Sequence, residues 1–476
     1  MRGALRALKL KEKKPRPSKR QILRKSVASV LLLNMLYLSM VPAAALAEGQ
    51  QTEATSTKPV VEQSNSSIPS VESLELQVKS AILMEPVSGQ ILLNVNGDTP
   101  LPPASMTKMM TEYIVADLVK QGKFSWDDVV TVRENASKTI GSRIFLAQGD
   151  QHTIRELYIA MAVGSANDAT VALAEHVAGS EQAFVKMMND EAQRMGMKNT
   201  YFANSTGLDI KDMPKEFQPD NDKETVMSAM DAAILAKYIV TDHPDFTEFT
   251  TIQQYKFRER DKAPMVNWNY MLEANKNVTN FKQFAYEGLD GLKTGHTSRA
   301  GSCFTGTAER DGMRLISVVM GTQATKTMKA EDVRFVETRK VLDYGFNNFE
   351  IKQVVAPKTT VEGAETVTVK KAKNVDVPVV TDQGVSFVIP KGADMSSLQA
   401  TVSMNEDTAL VAPLKQGTEV GTVTYSYKVP GSDEPVEKTV KLITAQDAEK
   451  ANWFKLLLRA IGDFFKDLFN GIKNLF

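Results

Sequence analysis

The chain has 476 residues, which is too long for one ordinary hydrophobic core and predicts two or three domains. Its formal net charge is 0, but residues 1–47 hold eleven Lys or Arg and one Glu, so the remainder has 46 basic and 56 acidic residues and a net charge of −10. This acidic balance argues against nucleic acid as a partner, which would require clustered positive charge. Cys303 is the single cysteine and excludes an internal disulfide, so we expect it to be a small buried apolar residue.

Residues 1–47 have the pattern of a secretory signal peptide. A basic region precedes the apolar run "VASVLLLNMLYLSM", and the small-residue site Ala45-Leu46-Ala47 follows. Cleavage there would place the remaining chain outside the cytoplasm; the alternative is an uncleaved amphipathic anchor. Residues 48–75 are rich in Ser, Thr, Gln and Glu and poor in large apolar residues, which predicts a flexible polar spacer.

Residues 76–350 are predicted to form an α+β domain. Two apolar runs around Pro86 and Gly89 predict a hairpin, and three stretches with apolar residues three and four apart predict helices. Near Gly288 the period returns to two, and Asp311-Gly312 is a turn between two further strands. Strands at both ends of a helical middle predict an antiparallel sheet that joins the first and last segments. The predicted elements are strands at 80–84, 91–96, 301–310 and 313–320, helical stretches within 105–122, 153–179 and 180–197, and a last helix at 333–346.

The last two segments differ from this domain. Residues 351–447 alternate Val, Thr and Lys in short runs, which predicts a small all-β sandwich or barrel, interpreted as a stalk. Residues 448–476 predict an amphipathic helix whose charges forbid a membrane span and whose aromatic face favours an interfacial membrane anchor. The alternatives are packing on the β domain or on a dimer partner. The predicted apolar face holds Trp453, Leu457, Ile461, Phe464, Phe465, Leu468, Phe469, Ile472 and Phe476.

The stretch "LPPASMTKMM" places Ser105 and Lys108 one helical turn apart, at the start of a predicted helix. A serine is a poor nucleophile until a base takes its proton, and a buried lysine beside a second cation has the lowered pKa that a base requires. A helix start also directs backbone N–H groups towards a developing oxyanion. Alone, the pair is far more typical of a capped helix with a surface lysine.

Two further motifs support the catalytic interpretation. Ser165 and Asn167, in "GSANDA", lie at a break between helical runs, where both side chains could project into one cleft. Lys293-Thr294-Gly295 is predicted to start a strand that continues into "GSCFTGTA", and would offer a cation for a carboxylate, a hydroxyl, and a glycine that lets substrate backbone approach. No G-x-S-x-G, H-E-x-x-H or C-x-x-C pattern occurs, so the sequence predicts neither a metal nor another cofactor.

The ordered set S-x-x-K, S-x-N and K-T-G is the signature of penicillin-binding proteins and serine β-lactamases. From about Ser80 onwards the chain resembles the serine-type D-alanyl-D-alanine carboxypeptidases, which are low-molecular-mass penicillin-binding proteins, and this includes "GLDGLKTGHT" and a tail beginning "ANWF". The resemblance implies the penicillin-binding-protein/serine β-lactamase-like transpeptidase fold, with an antiparallel sheet and a helical subdomain. It also implies removal of the terminal D-alanine from peptidoglycan stem peptides, acylation by β-lactams, and attachment to the outer face of the cell membrane.

The resemblance also implies roles for individual residues. Ser105 would be the acylated nucleophile, Lys108 its base, Ser165 a proton relay to the leaving D-alanine, and Asn167 a ligand of the peptide amide. A cationic pocket for the free α-carboxylate follows from exopeptidase chemistry. The residues implied around that carboxylate and the oxyanion are Lys293, Thr294, Arg334 and the backbone N–H groups of Ser105 and His296.

Three alternatives remain at the level of the sequence. A serine β-lactamase would use the same acyl-enzyme, but the stretch "MKNTYFANSTGLDI" has no E-x-x-L-N pattern for a deacylating glutamate. An endopeptidase or transpeptidase on this scaffold would differ in cleft shape. A non-catalytic penicillin-sensing wall protein would not require Ser105, Lys108, Ser165 and Lys293 together.

Overall fold

The computed structural model describes residues 68–405, 409–428 and 435–473. The signal-peptide prediction, and the predicted spacer up to residue 67, lie outside the described residues. The helices are α1 (Lys108–Lys120), α2 (Glu134–Lys138), α3 (Ile154–Gly164), α4 (Asn167–Ala178), α5 (Glu181–Met195), α6 (Ala229–Asp242), α7 (Thr247–Thr250), α8 (Ala330–Asn348) and α9 (Trp453–Lys473). Residues 68–75 differ from the predicted spacer: they contain a 3₁₀ turn at Val71–Leu74, and Ile68, Val71 and Leu74 pack against the core under α8 because they are apolar.

The strands lie in two groups, with two short hairpins within the helical region. The first part of the chain has β1 (Ser80–Met84), β2 (Ile91–Val95), β3 (Val129–Thr131), β4 (Gln151–Thr153), β5 (Gln254–Tyr255), β6 (Met265–Val266), β7 (Leu289–Thr297), β8 (Gly301–Arg310) and β9 (Met313–Thr322). The second part has β10 (Phe349–Val355), β11 (Thr366–Thr368), β12 (Asp376–Thr381), β13 (Val385–Pro390), β14 (Gln399–Met404), β15 (Glu419–Tyr427) and β16 (Val436–Thr444).

The main sheet has the order β2-β1-β9-β8-β7, and the pairings within it are antiparallel. The first and last segments of the domain therefore meet at β1 and β9, as the sequence predicted. Side chains alternate between the faces of a strand. Ile82 and Met84 thus join the core under α1, α5 and α6, whereas Ala81 and Leu83 join the core under α8. Burial on both faces fixes the sheet between two helical layers, with β7 at one edge.

Two details differ from the prediction. The strand with Lys293 does not continue into "GSCFTGTA": β7 ends at Thr297, and residues 298–300 turn the chain into β8, which pairs back on it. Lys293 consequently lies in the middle of β7. Helix α6, which the sequence analysis missed, packs against β1 and β9 and is capped at Ser228, whose hydroxyl accepts a hydrogen bond from the Asp231 N–H.

The second part of the chain is an all-β sandwich. One sheet has the order β11-β12-β16-β15-β14, a second sheet pairs β10 with β13, and Val379, Phe387, Val423 and Leu442 are among the residues of their common core. Helix α9 follows, and most of its large apolar side chains are exposed to solvent. Within the described ranges, the helices are too short or too polar to cross a membrane.

Candidate active site

Ser105 lies in a tight turn rather than at a helix N-cap. Residues Ala104–Thr107 form one 3₁₀ turn that leads directly into α1, and the Ser105 side chain makes no capping hydrogen bond. Ala104 has a φ of 49°, a left-handed conformation that costs free energy in a residue other than glycine. The Ser105 side chain therefore does not cap the helix and is available to the cleft.

Lys108 is fully buried behind Ser105. Its Nζ donates hydrogen bonds to Ser105 Oγ at 3.0 Å and to the Thr206 carbonyl at 2.9 Å. Burial, followed by the positive charge of Lys293, lowers the pKa of Lys108 well below its ordinary value. A neutral amine at hydrogen-bonding distance from a hydroxyl is the arrangement that general-base activation requires.

Ser165 and Lys293 form the second half of the cleft. Ser165 lies between α3 and α4 in a left-handed conformation, with a φ of 55°, and its Oγ accepts a hydrogen bond from Lys293 Nζ at 2.9 Å. Lys293 Nζ also donates to the Thr294 carbonyl at 3.3 Å. Burial lowers the pKa of Lys293 to about 8. The hydrogen-bond partner of Ser165 is thus the lysine of the K-T-G motif.

Two glycines enclose the turn that carries Ser105. A Cβ on Gly295 of β7 would lie 2.5 Å from the Pro103 carbonyl oxygen, and a Cβ on Gly207 would lie 1.9 Å from the Ala104 carbonyl oxygen. Neither distance is physically accessible to a carbon atom, so both positions require glycine. The close approach of the Pro103 carbonyl thus requires glycine at position 295. This requirement was not predicted from the sequence and adds to the predicted approach of substrate backbone.

Asn167 is the first residue of α4 and is held by a neighbouring loop. Its Nδ2 donates to the Ile140 carbonyl at 2.7 Å, and its backbone N–H donates to the Ser142 carbonyl at 2.7 Å. Asp168 holds the same loop, because its carboxylate accepts the N–H groups of Ile144 and Leu146. This loop therefore fixes the orientation of the Asn167 amide.

Thr294, Arg334 and His296 lie on or against β7. The Thr294 side chain is buried, and the buried Arg334 donates to the Gly295 carbonyl at 3.2 Å, so that its guanidinium lies against the strand. Burial lowers the pKa of Arg334 to about 10. His296 is exposed: its Nδ1 is 2.9 Å from Ser302 Oγ, and its Nε2 is 3.6 Å from Glu331 Oε1. Cys303, opposite Gly295 on β8, is fully buried as expected.

Three residues that the structure brings to this site were not predicted from the sequence. Thr206 supplies the carbonyl that holds Lys108, Gly207 makes room for Ala104, and Glu112 lies buried one helical turn after Lys108. Gly207 in "STG" had a detectable turn signal, whereas a backbone carbonyl acceptor leaves none. In the described part of the chain, no group of three or more His, Cys, Asp or Glu side chains is arranged to hold a metal ion.

Comparison with known families gives two matches that cover most of the chain. Residues 65–324 match the family model described as D-alanyl-D-alanine carboxypeptidase. The chain belongs to this family. Residues 349–450 match the model described as the C-terminal domain of penicillin-binding protein 5.

Curated relatives support the same assignment along nearly the whole chain. D-alanyl-D-alanine carboxypeptidase DacF of Bacillus subtilis is 32% identical over 445 residues, which cover 93% of this chain and 99% of that protein. DacC of Escherichia coli is 33% identical over 391 residues, covering 81% and 87% respectively. The chain is accordingly a serine-type D-alanyl-D-alanine carboxypeptidase among the low-molecular-mass penicillin-binding proteins, and the resemblance stated from three motifs is confirmed.

Solved structures confirm the fold class. The peptidoglycan synthesis regulatory factor (PBP3) of Streptococcus pneumoniae is similar with a TM-score of 0.66 and 28% identity, covering 79% of this chain and 100% of that one. Penicillin binding protein 5 of Haemophilus influenzae has a TM-score of 0.60 and 32% identity, covering 79% and 98%. The α+β carboxypeptidase domain followed by an all-β domain is thus an arrangement that this chain shares with its family.

Proposed function

We propose that this carboxypeptidase is exported, that it removes the terminal D-alanine from peptidoglycan stem pentapeptides through an acyl-enzyme on Ser105, and that penicillins acylate the same serine. The observation that carries the proposal is the hydrogen bond between Lys108 Nζ and Ser105 Oγ at 3.0 Å, made by a fully buried lysine. In the catalytic step, the Oγ–carbon bond forms at the penultimate D-alanine carbonyl while Lys108 takes the hydroxyl proton. A penicillin carbonyl would react in the same position.

The leaving group and the acyl-enzyme require two further steps. The peptide C–N bond breaks, and the leaving D-alanine nitrogen takes a proton that Lys108 holds and Ser165 relays. A water molecule then attacks the ester carbonyl while Lys108 takes its proton, the Ser105 Oγ–carbon bond breaks, and Oγ recovers the proton from Lys108. The Lys293–Ser165 hydrogen bond supports this route, because it holds the Ser165 hydroxyl in the cleft beside the proposed ligand of the terminal carboxylate.

Substrate would lie along β7. This strand is at the edge of the main sheet, so its outer backbone groups are available to an extended peptide. Asn167 would bind the peptide amide from the opposite side of the cleft. Lys293, with the Thr294 hydroxyl and the charge of Arg334 behind the strand, would bind the terminal carboxylate.

Replacement of Lys293 tests the carboxylate pocket. We expect Lys293→Ala to lower kcat/KM for an acyl-Lys-D-Ala-D-Ala peptide by about 10²–10³-fold, because a charge-assisted contact to the carboxylate is lost. The readout is the ratio of kcat/KM for this peptide to that for the same peptide with a C-terminal carboxamide. The wild type should favour the free acid strongly, and the variant should have a ratio near one. An unchanged ratio would contradict the assignment, even if both rates fell.

We further propose that α9 attaches the enzyme to the outer face of the cell membrane. Trp453, Phe464 and Phe469 are 75%, 63% and 77% exposed, which is unusual for a soluble surface. The basic side chains Lys455 and Arg459 instead face the β domain, where they donate to the carbonyls of residues 372–373 at 2.6–3.0 Å. This arrangement favours a lipid surface over packing of the apolar face on the β domain, and the β domain would be the stalk between membrane and cleft.

Truncation tests the membrane anchor. A chain ending at Ala451 should leave the membrane fraction, because it loses the apolar face of α9, while its kcat/KM on soluble peptide stays within about twofold. Sedimentation with anionic lipid vesicles measures the binding, and Phe464→Asp/Phe469→Asp in the full chain is the matched control for the apolar face. A truncated chain that still sediments would contradict the anchor.

A further inference from the structure

Glu112 is a buried carboxyl group for which the reaction described above has no use. It follows Lys108 by four residues on α1, so both side chains lie on one face of the helix. The residue is 4% exposed, and Oε1 has no hydrogen-bond donor among the described residues. Burial of an unpaired carboxyl is costly, and such a group in an enzyme cleft points to a function.

Glu112 also borders a cavity of mixed character. The cavity, of about 360 Å³, is lined by the aromatic rings of Trp126, Tyr158 and Phe249 and by the polar or charged side chains of Lys120, Asp242, His243 and Asp245. The Tyr158 hydroxyl donates to the Glu112 backbone carbonyl at 3.3 Å and leaves the carboxyl free. In a medium of low polarity, a charge acts on neighbouring charges over a longer distance than in water.

Glu112 shares α1 with Lys108, and α1 packs against β7, which carries Lys293, so the two active-site lysines lie on the same and on the adjoining element. Neither lysine is bonded to Glu112: Lys108 Nζ binds Ser105 and Thr206, and Lys293 Nζ binds Ser165 and the Thr294 carbonyl. The carboxyl therefore acts on them through space. The surrounding groups that act on Lys108, Lys293 and Tyr158 are Asp168 and Glu181 on Lys108, Arg334 on Lys293, and Asp245 on Tyr158. The cavity that Glu112 borders adds the titratable or charged side chains of Tyr113, Lys120, Asp242 and His243.

We propose that Glu112 is a positioning residue that keeps Lys293 protonated for the substrate carboxylate, and that charged Lys293 in turn keeps Lys108 neutral for its role as base. This inference rests on the roles proposed above for the two lysines. Two buried lysines so close together cannot both hold a proton easily, and one buried carboxylate provides the charge for one ammonium group. Glu112 thereby separates the functions of two chemically identical side chains.

The direction of each shift agrees with this arrangement. Burial raises the pKa of Glu112 to about 7, whereas the lysine charges oppose the shift. Burial lowers the pKa of Lys293 to about 8, and the charge of Glu112 opposes that decrease. Glu112 is accordingly charged over the pH range in which Lys293 would otherwise lose its proton, and it is neutral at lower pH.

Glu112→Gln tests the proposal through the pH dependence of kcat/KM for acyl-Lys-D-Ala-D-Ala. Glutamine has the same shape and no charge, so the alkaline limb, which reports the loss of the Lys293 proton, should move to lower pH by about one unit. At pH 6, where Glu112 is itself protonated, the kcat/KM of the variant should equal that of the wild type. At pH 8 the kcat/KM of the variant should be several-fold lower than that of the wild type. Glu112→Asp keeps the charge and should retain the wild-type limb.

Glu175→Gln is the matched control. Glu175 is also a buried carboxyl whose pKa burial raises to about 7, with Oε2 unpaired among the described residues, but it interacts with Arg133 and Glu181 rather than with the lysines. Its replacement should leave the pH profile unchanged. A purely structural role for Glu112 would lower the rate of Glu112→Gln equally at all pH values, and this outcome, like an unmoved limb, would overturn the proposal.

Two outcomes separate this inference from the proposed function. A wild-type profile without an alkaline limb would contradict the role of charged Lys293 and the inference together. If the wild type has an alkaline limb and the limb of Glu112→Gln lies at the same pH, the inference alone is overturned. Should the glutamine variant not fold, NMR of lysine-labelled wild-type enzyme gives the same decision: the Lys293 Nζ signal should titrate in two steps, one of them with Glu112, and a single-step titration would overturn the proposal.

Discussion

Ser105→Ala should lower the release of D-alanine from a peptide ending in Lys-D-Ala-D-Ala by about 10⁴-fold or more, because no other group replaces the nucleophile. The hydroxyl contributes one hydrogen bond from Lys108 and makes no contact that holds the turn as an N-cap. The melting temperature should consequently stay close to that of the wild type. The measurement is D-alanine release by the purified variant, with circular dichroism to verify the fold.

Ser73→Ala is the matched control for this substitution. Ser73 is exposed in a 3₁₀ turn outside the cleft, where its hydroxyl donates to the Ser70 carbonyl at 2.6 Å. Its removal should leave D-alanine release within about twofold, since surface substitutions rarely exceed a few tenths of a kcal/mol. D-alanine release that survives in Ser105→Ala would refute the nucleophile.

Gly207→Ala should be the most damaging substitution that leaves the catalytic side chains unchanged. The added Cβ would lie 1.9 Å from the Ala104 carbonyl oxygen and 2.7 Å from Thr107 Oγ1, and the φ of 81° is unfavourable for alanine. Strain and overpacking together should cost about 3 kcal/mol. The turn with Ser105 must shift to relieve the contact, and a shift of about 1 Å lowers the rate about 10²-fold.

Gly122→Ala separates the effect of backbone conformation from that of close contact. Gly122 has a φ of 71° just after α1, but a Cβ there would meet nothing within 4 Å. The substitution should cost only the left-handed strain, about 1 kcal/mol, and leave acylation unaffected. Thermal melting and the rate of labelling by a fluorescent penicillin measure both effects. Equal losses in the two variants would contradict the packing of Gly207 against the nucleophile turn.

The sequence predicted the elements in which local pattern and burial agree. A short apolar run before a turn predicted Ser80–Met84 as a strand with its bounds. The helical stretches predicted up to 179 and 197 end in the structure at the C-caps Gly179 and Gly196. Helix α6 was missed although Ser228 caps it, because its apolar residues "AMDAAILAKYIV" are mostly small and surround the helix. Such a pattern is typical of a helix that is buried between a sheet and another helix. Because it lacks a strong apolar stripe on one face, it does not predict an amphipathic helix.

The active site was predictable where the chemistry requires a particular side chain. The structure brings Ser105 and Lys108 together, as their motif suggested. It also pairs Ser165 with Lys293, which the three short motifs had placed in one site without pairing them. The motifs did not predict the groups that surround these side chains, namely the Thr206 carbonyl, the Gly207 contact and the Glu112 carboxyl. These depend on which segments meet in three dimensions, and no local spacing records that information.

Mass spectrometry of the enzyme after penicillin treatment tests the central claim most directly. The account predicts one penicilloyl group per chain, located by peptide mapping on the peptide that contains Ser105 and absent from Ser105→Ala. The adduct should persist when free penicillin is removed, and nitrocefin should not be turned over rapidly. An adduct on another residue would contradict the assignment of Ser105, and rapid turnover without a lasting adduct would contradict the penicillin-binding account in favour of a β-lactamase.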